Sequence, residues 1–326
     1  MRTFLLTGCF LLIFGSLTVF GAKKGEILPP DGKNLYRIHP CYGKHPARLD
    51  ADGKKVYKIY SGTIGKTSCF KVAPGMRIAV QFRAKNANKA LTVEGNPHWE
   101  GLLSIRGYKK VKLPSNFPVA SIVFYNAAGK RIRMAGHFIN FFQSVYFSQW
   151  KDYRMEFYVP PSYTGMEVWF SGGGPKNELL LSHYSVKEVK NAPTININPE
   201  LKIENHTILG IQRYINCCFG ETDDGRAQLS FRQGNIVTAR MPVKGGTFLH
   251  VKAETLKNSS GCRLFVNFLD EKGKKCGSLR DHVKIHGQNA TSMETVIGAP
   301  KNAVSFYVMV RFGTLTALYI NETKQP

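Results

Sequence analysis

Acidic side chains are scarce in this chain: 22 Asp and Glu stand against 45 Lys and Arg among 326 residues, for a formal net charge of +23. A surplus of that size speaks to partners rather than to fold. No Cys-x-x-Cys pair occurs, so zinc-ribbon and thioredoxin-like chemistry have no support. No stretch repeats apolar residues at helical spacing over a useful length, which sets the helical fold classes aside. Beyond residue 22 there is no second long apolar run, and no nucleic-acid-binding motif is present.

What is there begins with residues 1–22. Arg2 is followed by an apolar run to Phe20, then Gly21-Ala22 ahead of Lys23-Lys24. A charged start, an apolar middle and small residues at a cleavage point form the layout of a secretory signal peptide. The remaining chain is then expected to be secreted, periplasmic or at the cell surface. Most of the positive surplus falls in residues 23–190. In that compartment the expected partners are acidic polysaccharide or an anionic cell envelope, with no nucleic acid and no membrane span after signal removal. Cys41, Cys69, Cys217, Cys218, Cys262 and Cys276 remain, and exported cysteines favour disulfides. If two domains fold separately, Cys41 and Cys69 have only each other, whereas the pairing of the other four stays open.

The chain is organised around one stretch and its echo. Residues 68–85 turn through Pro74-Gly75 and then alternate, with Ile78, Val80, Phe82 and Ala84 on one face and Arg77, Gln81, Arg83 and Lys85 on the other. Residues 241–255 repeat the design through Gly245-Gly246, with Leu249, Val251, Ala253 and Thr255 inward. A period of two marks a half-buried strand. Further blocks follow in the same order: 121–131 over 265–275, 155–159 over 293–297, and 165–170 over 303–308. Matched blocks in one order predict two copies of one domain. The expected organisation is a signal peptide at 1–22, a first β-sandwich at 34–189, a proline- and asparagine-containing linker at 190–200, and a second β-sandwich at 201–324. The first copy carries an insertion at 86–120 that the second lacks.

A Val-x-Pro-Gly turn at 72–75 leads into the alternating strand, a later strand ends near Gly129-Lys130, and Trp150 precedes a strand closed by proline. This pattern resembles the galactose-binding-like jelly rolls, among them many carbohydrate-binding modules attached to glycoside hydrolases. It is fuller over 56–186 than over 229–320. The resemblance implies an all-β chain of two tandem jelly-roll-like antiparallel β-sandwich domains, with Trp150 in a packing position. Such modules often hold calcium through acidic residues in the last strand. Here 179–186 and 314–320 contain no carboxylate, so no metal is expected, and no cofactor is implied.

The insertion interleaves His98, Trp99 and Tyr108 with Arg106, Lys109, Lys110 and Lys112. Aromatic faces stack on sugar rings, and basic side chains pair with sulfate or carboxylate groups. These residues form the expected ligand-binding set. Trp169 and Tyr307, read at one register on the outward faces of matching strands, are two further candidate platforms. The alternative for each aromatic is packing: Trp99 ties the insertion down, and loops cover Trp169 and Tyr307. Glu94 and Glu100 are conceivable as a glycosidase pair, and His98, Tyr108 and Lys109 as lyase groups, but nothing fixes their geometry and no catalytic residue is assigned. The expected function is an exported, non-catalytic carbohydrate-binding protein for acidic polysaccharide or an anionic cell surface. The alternatives are a polysaccharide lyase or glycoside hydrolase acting on acidic glycan, and a structural envelope protein using its sandwiches for protein contacts.

Overall fold

The computed structural model describes residues 26–27, 38–40, 47–49, 55–89, 117–131, 142–204, 207–221, 227–256, 262–276, 285–287 and 291–324. Among them there is no α-helix. Strands β1 (Glu26–Ile27), β2 (Ile38–Pro40), β3 (Ala47–Leu49), β4 (Lys55–Ile59), β5 (Ile64–Thr67), β6 (Phe70–Lys71), β7 (Arg77–Asn86), β8 (Val119–Tyr125), β9 (Phe142–Ser144), β10 (Lys151–Tyr158), β11 (Gly165–Ser171) and β12 (Leu179–Glu188) build the first sandwich. One sheet runs β1-β6-β11-β5-β2, with β8 on β11 and β9 on β8; the other runs β10-β7-β12-β4-β3. Their pairings are antiparallel except that of β1 with β6, which is parallel. The alternation of β7 does what its sequence demands. Ile78, Val80, Phe82 and Ala84 are almost fully buried, and Phe82 stacks on Tyr153 at 5.2 Å and meets Phe170 edge-on at 5.6 Å.

The second sandwich comprises β13 (Ile203–Glu204), β14 (Thr207–Ile208), β15 (Ile211–Glu221), β16 (Ala227–Thr238), β17 (Met241–Pro242), β18 (Phe248–Thr255), β19 (Cys262–Leu269), β20 (Ile285–Gly287), β21 (Ser292–Gly298) and β22 (Ser305–Thr323). Its pairings repeat those of the first. Residues 305–311 of β22 pair with β19, β16 and β17, as β11 pairs with β8, β5 and β6. Residues 315–323 pair with β18, as β12 pairs with β7. The long β22 is therefore β11 and β12 run together through Gly313, whose φ is 90°.

Hydrogen bonds fix the correspondence. Gly75 and Gly246, at φ 80° and 85°, each donate their N–H to the carbonyls of Val159 and Ala299 at 2.9 Å. Gly129 and Gly273, at φ 71° and 74°, donate likewise to Asn126 and Asp270 at 2.9 Å. A left-handed φ costs glycine little and other residues more, so these turns are pinned in both copies. Buried Thr67 and Thr238 each accept at Oγ1 from the N–H of Val168 and Val308, at 3.0 and 2.9 Å. The same bonds correct part of the expected alignment. Val159 answers to Ala299 and Gly165 to Ser305, so the blocks 155–159 over 293–297 and 165–170 over 303–308 were each two residues out of register. A slip of two preserves which face a side chain takes, so apolar alternation alone does not reveal it.

Residues 190–200 form a strap between the sandwiches. Thr194, Asn196, Ile197 and Asn198 are buried. On the second sandwich, Thr194 Oγ1 donates to Ile320 O at 2.7 Å and Asn196 Nδ2 to Leu318 O at 2.6 Å. On the first, Tyr158 Oη donates to Ile195 O at 2.7 Å and Arg77 Nη1 to Thr194 O at 2.8 Å. Arg77 is oriented for this by Glu156, which also takes Arg154; the Arg77 and Glu156 side chains are only 10% and 2% exposed. Removing one partner of a buried ion pair leaves a desolvated charge behind. Arg77→Ala is expected to lower unfolding stability by on the order of 3 kcal/mol and to open residues 190–200 to limited proteolysis. Urea denaturation and a protease time course check this, and an unchanged time course would mean that the strap holds without Arg77.

Candidate functional site

The outward side of β7 presents Gln81, Arg83 and Lys85. Register brings Asp152 and Arg154 of β10 beside Arg83 and Gln81. From β12 it brings His183, Ser185 and Lys187 beside Arg83, Gln81 and Ala79, after a bulge between Leu181 and His183. Gln81 and His183 are exposed, and the Arg83 and Arg154 side chains are 44% and 39% exposed. Arg83 meets Asp152 at 3.3 Å, while Arg154 leans on Glu156 at the buried end of the face. At the other end Lys85 Nζ lies 5.0 Å over the ring of Trp150. Trp150 is thus half-buried at the rim of this face rather than part of the core. The result is a flat, open sheet surface with more guanidinium and ammonium groups than carboxylates.

The same positions in the second sandwich carry the opposite balance. By the register of β18, β21 and β22, Lys252 stands where Gln81 does, Glu254 where Arg83 does, Glu294 where Arg154 does, and Asn321 where Lys187 does. Lys252 meets Glu254 at 3.0 Å and His250 meets Glu294 at 3.2 Å. The carboxylate of Glu254 raises the pKa of Lys252. Charge there is internally matched.

Trp169 sits in a closed network on the opposite sheet. Its Nε1 donates to Glu167 Oε2 at 2.8 Å, which also accepts from Tyr125 Oη at 2.7 Å, and Lys66 Nζ donates to Oε1 at 3.1 Å. Arg131 covers the indole with its guanidinium carbon 4.5 Å from the ring centre. Burial, then Glu167, pushes the Tyr125 hydroxyl well above the usual phenol range. Tyr307 does not share the register of Trp169: its counterpart is Glu167, and that of Trp169 is Met309. Tyr307 is half-buried beside Arg240, and burial raises its pKa. The structure does not bring the two aromatics together. His98, Trp99, Arg106, Tyr108, Lys109, Lys110 and Lys112 lie outside the described residues. Among the described residues no three potential metal ligands cluster.

The chain matches no known protein family and no curated protein. Among solved structures it is similar to the tandem CBM22-1–CBM22-2 domain of Xyn10C from Paenibacillus barcinonensis, at 9% identity and a TM-score of 0.29 over 89% of this chain and 93% of that one. It is also similar to the C-terminal CBM6 of LamC from Zobellia galactanivorans, at 9% identity and a TM-score of 0.26, over 34% of this chain and 92% of that one. An allantoicase appears at 10% identity and a TM-score of 0.29, over 88% and 84%. Carbohydrate-binding modules are thus among these neighbours.

Cys69 is a half-buried free thiol, and Cys41 lies outside the described residues. Pro40 pairs with Gly65, four residues along the chain from Cys69, and the expected Cys41–Cys69 bridge is not shown. Burial and then Glu167 push the thiol pKa up, while Lys66 acts the other way. Alkylation of the native protein should therefore follow a midpoint above that of free cysteine. Glu167→Gln is expected to lower that midpoint and Lys66→Gln to raise it, measured as a pH–rate profile by mass spectrometry. A Cys69 that labels only after reduction would report a disulfide instead.

Proposed function

We propose that this chain is an exported, non-catalytic protein that binds acidic polysaccharide, free or displayed on an anionic cell surface, chiefly through its first sandwich. One observation supports this above the rest. At equivalent strand positions the first sandwich exposes Arg83 and Arg154 where the second has Glu254 and Glu294. A shared scaffold does not require that difference, and solubility alone gives no reason to gather cations on one sheet face. Gln81, Ser185 and His183 lie between the cations and offer hydrogen bonds to sugar hydroxyls. Half-buried Trp150 stands at the rim with Lys85 over its ring. The insertion at 86–120, which lies mostly outside the described residues, carries Trp99, Tyr108 and further basic residues of the same chemical kind.

Neutralising Arg83, Lys85, Arg154 and Lys187 together to Gln is expected to weaken binding of the full chain to a sulfated or uronic glycan roughly tenfold or more at 0.1 M salt, since exposed ion pairs contribute about 0.2–1 kcal/mol each. The salt dependence of the remainder should be shallower, because screening has less charge to act on. Trp99→Ala should remove affinity that persists at high salt. The counterpart change in the second sandwich, Lys252→Gln, should leave affinity within about twofold. Surface plasmon resonance over a salt series reads all of these. Unchanged affinity in the fourfold variant removes this face from the reading.

A further inference from the structure

Among the described residues β15 is the longest strand at a sheet edge. It ends the order β15-β16-β22-β18-β21, so one side of it pairs with β16 and no described strand lies on the other. Its counterpart in the first sandwich is β2, which pairs with β5 as β15 pairs with β16. β2 is three residues long and ends in Pro40, which has no N–H to offer. The edges of the other sheet of that sandwich are blunted by shortness or by charge: β3 has three residues, and β10 carries Lys151, Asp152, Arg154 and Glu156. β15 runs for 11 residues. Between Arg213 and Glu221 it holds Tyr214-Ile-Asn-Cys-Cys-Phe-Gly220, with no charge and no proline. A long, uncharged edge offers a row of backbone donors and acceptors to another strand.

The register identifies the strand that fits. Ile215 pairs with Asn235 and Cys217 with Phe231, so the extra residues of that irregularity belong to β16. β15 itself advances without a break from Arg213 to Glu221. Two antiparallel copies related by a two-fold axis set each residue opposite the one equally far beyond the axis. With the axis at Cys217, Arg213 falls opposite Glu221 of the second copy, Ile215 opposite Phe219, and Cys217 opposite Cys217. Opposite charges then close both ends of the ladder and apolar residues oppose each other between them, and such cross-strand pairs stabilise a sheet. Moving the axis by one residue sets Arg213 against Phe219 or Ile215 against Glu221, and the match is lost. An overlap of residues 213–221 supplies roughly eight to ten backbone hydrogen bonds. Cys262 and Cys276 are free thiols, so neither ties β15 back onto its own sandwich. We propose that the chain forms a two-fold dimer in which the β15 edges of two copies pair antiparallel about Cys217. The dimer does not rest on what the first sandwich binds.

Light scattering on the full chain, eluted from a sizing column across a dilution series, should give two chains per particle. Arg213→Glu sets like charges opposite each other at both ends of the ladder and should weaken the dimer roughly tenfold or more. Adding Glu221→Arg should restore wild-type association, which recovery from a folding defect would not explain. Oxidised glutathione gives a second readout on the native sequence. Opposed residues of an antiparallel pair lie about 4.5–5.5 Å apart at Cα, within disulfide range. Two Cys217 thiols are oxidised to one disulfide, while one oxidised glutathione takes both electrons and both protons and becomes two of its thiol. On a non-reducing denaturing gel the wild type and Cys218→Ser should form a covalent dimer, and Cys217→Ser should not. A monomer at every concentration, an Arg213→Glu variant that dimerises like the wild type, a charge swap that fails to restore a weakened dimer, or a covalent dimer of Cys217→Ser overturns the proposal.

Discussion

The arrangement turns on Arg77 and Glu156. A guanidinium and a carboxylate placed diagonally on adjacent strands would be a surface pair of little worth in water. Here they lie under the strap, and burial changes their role. Glu156 is held by two arginines, and Arg77 uses its remaining donors on the carbonyls of Thr194 and Ile197. Those carbonyls belong to a segment outside the strands, tied to β22 by the Ile195 N–H on Ile320 O and the Leu318 N–H on Pro199 O. Buried carbonyls without partners are costly, so the ion pair, the strap and the seat on β22 are interdependent. The consequence is geometric: the two sandwiches share a covered junction, and that junction and the basic face are built on the same strand, β10.

Electrostatics separates the two copies more than packing does. Both have the same turn glycines, the same buried threonine hydroxyl and the same order of strand pairing, so both cores are solved in one way. What differs is the outward face of a strand, where side chains bear little of the folding energy and are free to serve a partner. On β7, β10 and β12 Arg83 pairs with Asp152 and Arg154 with Glu156, and Lys85 and Lys187 add positive charge beyond those pairs. On β18 and β21 the same places are filled by carboxylates that already satisfy Lys252 and His250. A face whose charges are matched internally has little to gain from a polyanion.

Much of this fold was legible as sequence because period-two alternation reports burial directly. Ile78, Val80, Phe82 and Ala84 read as an inner face, and Pro74-Gly75 read as a turn because only a few residue types tolerate it. The register between copies was harder, since a shift of two residues leaves every inner side chain inner. Only the partner of a hydrogen bond, such as Thr67 on Val168, distinguishes the two alignments. The strap was hidden for a different reason. Asparagine, threonine and proline signal irregular backbone, and nothing local says whether that backbone is solvated or buried. Trp150 was read as a packing residue, yet Lys85 lies over its ring at the rim of the basic face. The charge of that face was visible as alternating Arg77, Arg83 and Lys85, but its contrast with Glu254 and Glu294 emerged only with the cross-strand register.

The network around Glu167 shows why buried charge alone is a poor guide to function. A carboxylate with a lysine, a tyrosine and a tryptophan around it looks like a site when drawn as a list of residue types. Its oxygens are already taken by those donors, and Arg131 occupies a face of the indole that a sugar would need. A ligand would have to displace existing bonds of similar strength, gaining little. On the face of β7 Gln81 and His183 are exposed and the Arg83–Asp152 pair is 44% and 69% exposed, so a ligand there exchanges solvent and a solvated pair rather than buried bonds. The difference between satisfied and solvated polar groups, more than their identity, decides which of the two sheet faces of the first sandwich is able to bind.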